Sequence, residues 1–240
     1  MERKIGSKEA AAPMKNPIQD FAKIPLSVHD ARMIAAEKAR ALSHNGTGTR
    51  AGAIIIKPFE NWIMSRGSNV LPYGMKMTPG LQEYIDDKTN NFYYSALNHA
   101  EQDAIFRAVK HFGSDALLDA AMYTRLTPCS MCARAIIEHG IKYVIDSKLP
   151  NLEDSRWGKS WYEALLMFDM ADVKYLMLPD PGVFENKITR EYLWNFQVEF
   201  LGEDLESRLG WLSALGDSGM PYSKIQLEQL FQKLKDIKVR

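Results

Sequence analysis

Apolar positions along the chain follow two different periods. From Ser27, which is placed to cap a helix, Ala31, Ile34, Ala35, Ala39 and Leu42 recur at the 3.6-residue spacing of an amphipathic helix that ends near SHNGTGT. AGAIII (Ala51 to Ile56) is a short continuous apolar run, KPFEN a turn and WIMSRGSN (Trp62 to Asn69) a return strand, so this stretch predicts a β-hairpin. The 28 residues from Val70 to Leu97 show neither period and predict a long loop, a length that in a compact domain usually serves function.

Helical spacing returns in NHAEQDAIFRAVKHF, where Ala104, Ile105, Ala108, Val109 and Phe112 form one face. AMYTRL (Ala121 to Leu126) predicts a third strand. Pro128 then opens a helix that Gly140 stops, KYVID follows as a strand, WGKSWYEALLMFDM as a helix and VKYLML as a fifth strand. A helix-length crossover between neighbouring strands predicts that strands 4 and 5 pair in parallel. The expectation is an α/β sandwich on a five-stranded mixed sheet over residues 27–180, preceded by a flexible arm (1–26). Residues 181–240 follow as an extension of amphipathic helices such as TREYLWNFQVEFL and SKIQLEQLFQKLKDI.

The 240 residues carry thirty basic and thirty acidic side chains, so no global positive field would draw the chain to nucleic acid or an anionic membrane. The N-terminal MERKIGSKEAAAPMKNP lacks the apolar core of a secretory signal, and no run is long enough to span a bilayer; a cytoplasmic setting is expected. In such a reducing compartment the two cysteines, Cys129 and Cys132, fit a metal or redox role better than a disulfide.

His99 and Glu101 stand one residue apart in HAE, and PCSMC begins 27 residues after the glutamate. A C-x-x-C alone also fits a redox pair or half of a structural zinc site, and an H-x-E alone occurs by chance in helices. Both in this order, each opening a helix, point to a zinc site in which His99, Cys129 and Cys132 are three ligands and a fourth position stays open for water. Cys129 and Cys132 share one face of a first helical turn, where the helix dipole favours thiolate. Glu101 would serve as the general acid/base, since zinc brings its water to a pKa of roughly 7 and a neighbouring carboxylate can move the proton. H-x-E followed by P-C-x-x-C is a known signature of zinc nucleobase deaminases. The other histidines, His29, His44, His111 and His139, fall on predicted exposed or helical surfaces, and a Ser/His/Asp triad has no nucleophile elbow to support it.

On these motifs, with TRAGAIIIKPFENWIMSRGSNVLP, NHAEQDAI, MYTRLTPCSMCARAIIEHGIKYVI and SRWGKSWYEALLMFDMADV, the chain resembles the cytidine and deoxycytidylate deaminase superfamily from about Ser27 to Leu178. The deoxycytidylate (dCMP) branch is the most similar, because of the long insertion between Asn69 and His99. The resemblance implies a three-layer α/β/α fold with a catalytic domain over 27–180. It further implies a Zn2+ cofactor and hydrolysis of dCMP to dUMP and ammonia, with Glu101 passing protons to N3 and to the departing amine. By the same resemblance Asn69 should hydrogen-bond the sugar and the main chain at Ala100 the pyrimidine. For the phosphate, Arg50, Lys76 and Arg125 are candidates, Arg50 being the one retained.

A homo-oligomer is implied as well. Family members regulated by dCTP and dTTP show G-Y-N-G where this chain has GSNV (Gly67 to Val70), a departure that argues against those effectors. PCSMC also leans toward the P-C-x-M-C of cytosine, guanine and tRNA adenosine deaminases, which keeps a nucleobase or tRNA substrate open; the neutral charge and long loop disfavour it. The intact His99, Glu101, Cys129 and Cys132 set argues against a non-catalytic, regulatory member.

Overall fold

Four of the five short strands are buried at every residue and need helices on both faces of their sheet, and that is the architecture of the computed structural model. It describes residues 21, 23–43, 50–60, 62–87, 96–148, 150, 154–178, 190–191 and 194–195. In chain order these give α1 (Leu26–Arg40), β1 (Gly52–Ile56), β2 (Ile63–Ser68), α2 (Pro79–Asp86), α3 (Ala100–Phe112), β3 (Ala121–Thr124), α4 (Ser130–Glu138), β4 (Tyr143–Asp146), α5 (Gly158–Met170) and β5 (Lys174–Met177). The sheet runs β2-β1-β3-β4-β5; β1 is antiparallel to β2 and β3, while β3, β4 and β5 are parallel. The expected mixed sheet, with strands 4 and 5 parallel, is therefore present.

Alternation along each strand divides the core in two. Ala53, Ile55, Met122, Val144 and Tyr175 face the layer of α3, α4 and α5. Ile54, Ile56, Tyr123, Tyr143, Ile145 and Leu176 face α1. These are the two faces that a period of two assigns to successive residues.

Two strand glycines set how closely the helices lie. A Cβ on Gly67 of β2 would come 2.0 Å from the Ala100 carbonyl oxygen and 2.3 Å from the Ala104 nitrogen, so α3 rests its first turn directly on that strand. Gly52 does the same for α1, where a Cβ would meet the Ala36 carbonyl at 2.2 Å. Small residues on the helices, Ala36 and Ala104, complete both contacts.

Helix α1 departs from the sequence reading in two ways. It begins at Leu26 after Pro25, whose extended backbone (φ −60°, ψ 143°) ends the preceding chain, and Ser27 is not its cap. Its buried stripe is Leu26, His29, Met33, Ala36 and Ala39, whereas Ile34 and Leu42 are exposed; the close seat on Gly52 turns inward the face that carries Ala36. His29, read from the sequence as a surface residue, is fully buried. Its Nδ1 shares a 2.6 Å hydrogen bond with the Tyr123 hydroxyl, and its ring lies 4.2 Å from that of Trp194. Burial, reinforced by the nearby Arg32 cation, holds its pKa down at about 3.

The loop expected between Val70 and Leu97 contains α2. Thr78 Oγ1 accepts the Leu81 N–H at 3.2 Å and Pro79 fills the first turn, a start signal that the amphipathic spacing around it does not announce. Ile85 of α2 packs with Leu71 and Leu97. Phe112, expected in the core face of α3, is exposed and meets Trp62 edge-on at 5.4 Å.

Residues 1–20 of the expected arm and nearly all of the expected C-terminal helices lie outside the described residues. Those described near the two ends pack into the α1 face. Phe21 is buried and stacked on Tyr143 at 4.3 Å, Trp194 is buried beside it, and Arg190 forms a two-pronged ion pair with Asp30 of α1. Among the described residues no helix is long and apolar enough to cross a membrane.

Gly67→Ala should destabilise the fold by about 1–3 kcal/mol, because neither backbone can yield without unseating α3; a thermal melt unchanged from wild type would contradict the close seat. For His29 the sign follows from its lowered pKa: the unfolded chain binds the proton first, so stability is full above pH 6.5 and declines as pH falls toward 3. From pH 7 to pH 5 this group should cost about 2 kcal/mol, a loss that urea unfolding at the two pH values should find reduced in His29→Gln.

Candidate functional site

Two helix starts meet at one rim of the sheet. At the first, Gly67 brings α3 onto β2, and the residue after β2 secures it: Asn69 Oδ1 accepts the Ala100 N–H at 3.0 Å. Asn98 exchanges two backbone hydrogen bonds with Val70, and His99, the N-cap of α3, gives its own N–H to Gln102 Oε1 at 3.2 Å. These contacts place the His99 ring and the Glu101 carboxylate at the same end of the helix.

At the second start, Pro128 precedes Cys129, the N-cap of α4, and Cys132 follows within the first turn. Ser160 of α5 holds this end, its Oγ accepting the Ser130 N–H at 2.9 Å. His99 Nδ1 lies 3.4 Å from Cys129 Sγ and 3.5 Å from Cys132 Sγ, and the two sulfurs are 3.6 Å apart. A tetrahedral zinc with ordinary bond lengths would set its ligands about 3.8 Å apart between sulfurs and about 3.6 Å apart between sulfur and nitrogen. The three donors therefore stand at nearly the corners that a zinc ion requires, and this donor set fits that metal.

Glu101 is almost completely buried at this triangle, with Oε2 3.5 Å from Cys132 Sγ. The Thr124 hydroxyl lies 3.4 Å from its other oxygen but is directed at the nearer Leu126 carbonyl, at 3.0 Å. Burial pushes the Glu101 pKa up, while the His99 charge opposes that rise. Between the two sulfurs one proton is shared unevenly. The hydrogen bond from Cys132 holds Cys129 down at about 4, and the same bond, with burial, pushes Cys132 well up.

The triangle opens into a cavity of about 310 Å³. Asn69, His99, Glu101 and Cys129 line it on the metal side, and Thr127, Asp154, Trp157 and Trp161 contribute further wall. Trp157 stands edge-on to the His99 ring at 6.1 Å, and Asp154 Oδ1 accepts the Arg156 and Trp157 N–H groups, turning the chain into α5. The sequence reading passed over Thr127, Asp154 and both tryptophans as site residues. Their only signal was their place after β3 and β4, at the carboxyl ends of parallel strands: Thr127, Asp154 and Trp157 in the connecting loops and Trp161 near the start of α5.

Among the described residues lining the cavity there is no lysine or arginine. Arg50 is exposed next to the lining Ala51, Lys76 is exposed on the loop before α2, and Arg125 pairs with Glu37 at 3.1 Å. Of the long stretch from Val70 to Leu97, no described residue lines the cavity.

Chelation should lower the thermal midpoint, and zinc restored to the stripped protein should release at least one proton per chain near neutral pH, because Cys132 keeps its proton until the metal displaces it. Zinc affinity should then weaken about tenfold for each unit of falling pH. Chelator competition at pH 6, 7 and 8 checks this, with Cys132→Ser as the variant that should no longer hold the metal; a flat profile would contradict the shared-proton arrangement.

The sequence model described as the cytidine and deoxycytidylate deaminase zinc-binding region matches residues 26–147. An "Uncharacterized deaminase in luxG 3'region" from Aliivibrio fischeri is 30% identical over 131 residues, which cover 55% of this chain and 80% of that protein. A "Probable deoxycytidylate deaminase" from Caenorhabditis elegans is 28% identical over 113 residues, 47% of this chain and about half (54%) of that protein. Among solved structures, the chain is similar to the dCMP deaminase of cyanophage S-TIM5 in complex with dCMP and dUMP, at 23% identity over 63% of this chain and 97% of that chain, with a TM-score of 0.47. The chain belongs to the cytidine and deoxycytidylate deaminase family, and the matched region is the one that carries His99, Glu101, Cys129 and Cys132.

Proposed function

We propose that the protein is a zinc-dependent hydrolase that converts dCMP to dUMP and ammonia, with His99, Cys129 and Cys132 holding the metal and Glu101 moving the protons. The observation that carries the reading is the buried Glu101 carboxylate beside a three-donor triangle of zinc dimensions, at the wall of a cavity sized for a small molecule. Bound zinc supplies a Lewis acid that lowers the pKa of water to roughly 7.

The chain's own groups account for the remaining steps. Glu101 takes a proton from the attacking water and gives it to N3 of the pyrimidine. It then passes the second proton to the amino group on C4, so that the C–N bond breaks, a C4 carbonyl forms and ammonia leaves. A carboxyl whose pKa is raised by burial is suited to both halves of that transfer near neutral pH. Trp157 and Trp161 offer flat apolar wall against which a base can stack.

Asn69 uses Oδ1 on Ala100, so its contact with a sugar hydroxyl is assigned to the amide nitrogen. The Ala100 N–H, already donated to Asn69, would meet a pyrimidine oxygen as a second acceptor. Arg50, beside the lining Ala51, is the proposed phosphate contact; Arg125 also adjoins the wall but is engaged by Glu37.

One observation favours a second reading, an uncharged nucleobase or nucleoside substrate. Asp154 lines the cavity and none of the described lining residues is a cation, a setting that suits a neutral ligand better than a monophosphate.

Ammonia release from dCMP, deoxycytidine, cytosine and dCTP separates the two. The dCMP reading expects the highest kcat/KM for dCMP and a loss of about 10²–10⁴ in kcat for Glu101→Gln, with zinc retained. If dCMP is no better than cytosine, the second reading replaces the first; if Glu101→Gln keeps wild-type kcat, its assigned role is wrong.

A further inference from the structure

Asp146 is the last residue of β4, it is fully buried, and no step proposed above uses it. Three donors converge on its carboxylate. The Thr127 hydroxyl reaches Oδ2 at 2.6 Å, the Tyr175 hydroxyl reaches the same oxygen at 3.0 Å, and the Lys148 N–H reaches Oδ1 at 3.1 Å. Burial still prevails over these donors and pushes its pKa up to about 7. A buried acid in an otherwise apolar layer is costly, and here its shortest bond goes to the residue two before Cys129.

The chain from Thr127 to Cys129 has little freedom to absorb a displacement. Pro128 locks its own φ and restricts the residue before it to extended conformations. Cys129 is itself extended, at φ −73° and ψ 169°. On the far side the Ser130 N–H and hydroxyl are held by Ser160, at 2.9 and 3.0 Å. Cys129 thus sits between two anchors, one on β4 and one on α5, and only the first engages a buried carboxylate.

We propose that Asp146 and Thr127 are positioning residues for the metal site: the buried carboxylate fixes the Thr127 hydroxyl, and the stiff Thr-Pro-Cys segment turns that anchor into the placement of the Cys129 sulfur. The inference rests on the ligand set of the preceding subsection. It assigns Asp146 no contact with metal or substrate. Tyr175 shares the carboxylate and is within hydrogen-bond distance of the Thr127 hydroxyl, at 3.2 Å, but it belongs to β5 and is not continuous along the chain with Cys129, so its removal leaves the Asp146–Thr127 bond in place and serves as the control.

The experiment measures zinc affinity by chelator competition, together with the thermal midpoint of the zinc-free protein, for wild type, Thr127→Val, Thr127→Ser, Asp146→Asn and Tyr175→Phe. Thr127→Val should weaken zinc about 10–100-fold and Asp146→Asn in the same direction, whereas Thr127→Ser, which restores the hydroxyl, should stay within about threefold of wild type. Tyr175→Phe should lower the zinc-free midpoint while leaving zinc affinity within about threefold. Wild-type zinc affinity in Thr127→Val overturns the proposal, and so does a loss in Tyr175→Phe equal to that in Thr127→Val, which would mean general loosening of a buried network. Should Thr127→Val not fold, Asp146→Asn decides: wild-type affinity there overturns the proposal. A wild-type protein that binds no zinc, or a Cys132→Ser protein that binds it normally, would instead sink the ligand set itself.

Discussion

Everything at the site depends on how near α3 can come to β2. The first turn of that helix lies on Gly67 at a distance no side chain could occupy, and His99 and Glu101 are the N-cap and second helical residue of that turn. An ordinary strand-to-helix separation would carry both away from Cys129 and Cys132, whose own position is set by α4 and by the anchors on β4 and α5. A triangle with edges of 3.4 to 3.6 Å leaves little room for such a shift, because metal coordination tolerates only tenths of an ångström. The backbone contact at a glycine, remote from any reacting atom, is thus the constraint on which the chemistry rests.

That contact also explains why a carboxylate can be kept so deeply buried there. Glu101 occupies the positive end of α3, beside a cluster built to receive a dication, so its charge has partners on two sides. The same burial that raises its proton affinity removes competing water from the place where a proton must be handed on.

How much of this was legible in the sequence follows from the range of each interaction. His99, Glu101, Cys129 and Cys132 could be read because their roles depend on one-residue and three-residue spacings at helix starts, which are local. The strands were legible to within two residues at either end because alternation and continuous apolar runs are local too. The stripe on α1 was misplaced because it is chosen by Gly52 of β1, and His29 was misread because its burial depends on Tyr123 and on Trp194, far along the chain. Helix α2 is brief and rests on only a small satellite cluster, so its spacing was too short to stand out, although Thr78 and Pro79 marked its start. Asp146, Trp157 and Trp161 become neighbours of the site only when parallel strands bring their carboxyl ends to one rim, and Thr127, though two residues from Cys129, gains its partner Asp146 in the same way, which no local pattern encodes.

The packing of Phe21 and Trp194 against His29 has a consequence for the order in which the molecule can be completed. One face of the sheet is closed by residues from opposite ends of the described chain, their rings 6.4 Å apart across a separation in sequence of more than 170 residues. On a ribosome, β1 to β5, the four donors and acids of the site and the α3 to α5 layer are all synthesised before Trp194 emerges. The strands and the α3 to α5 layer are thus complete in sequence before the Trp194 ring that packs on His29 is added, so of the two faces of the sheet it is the α1 face whose described cover includes a late-made residue.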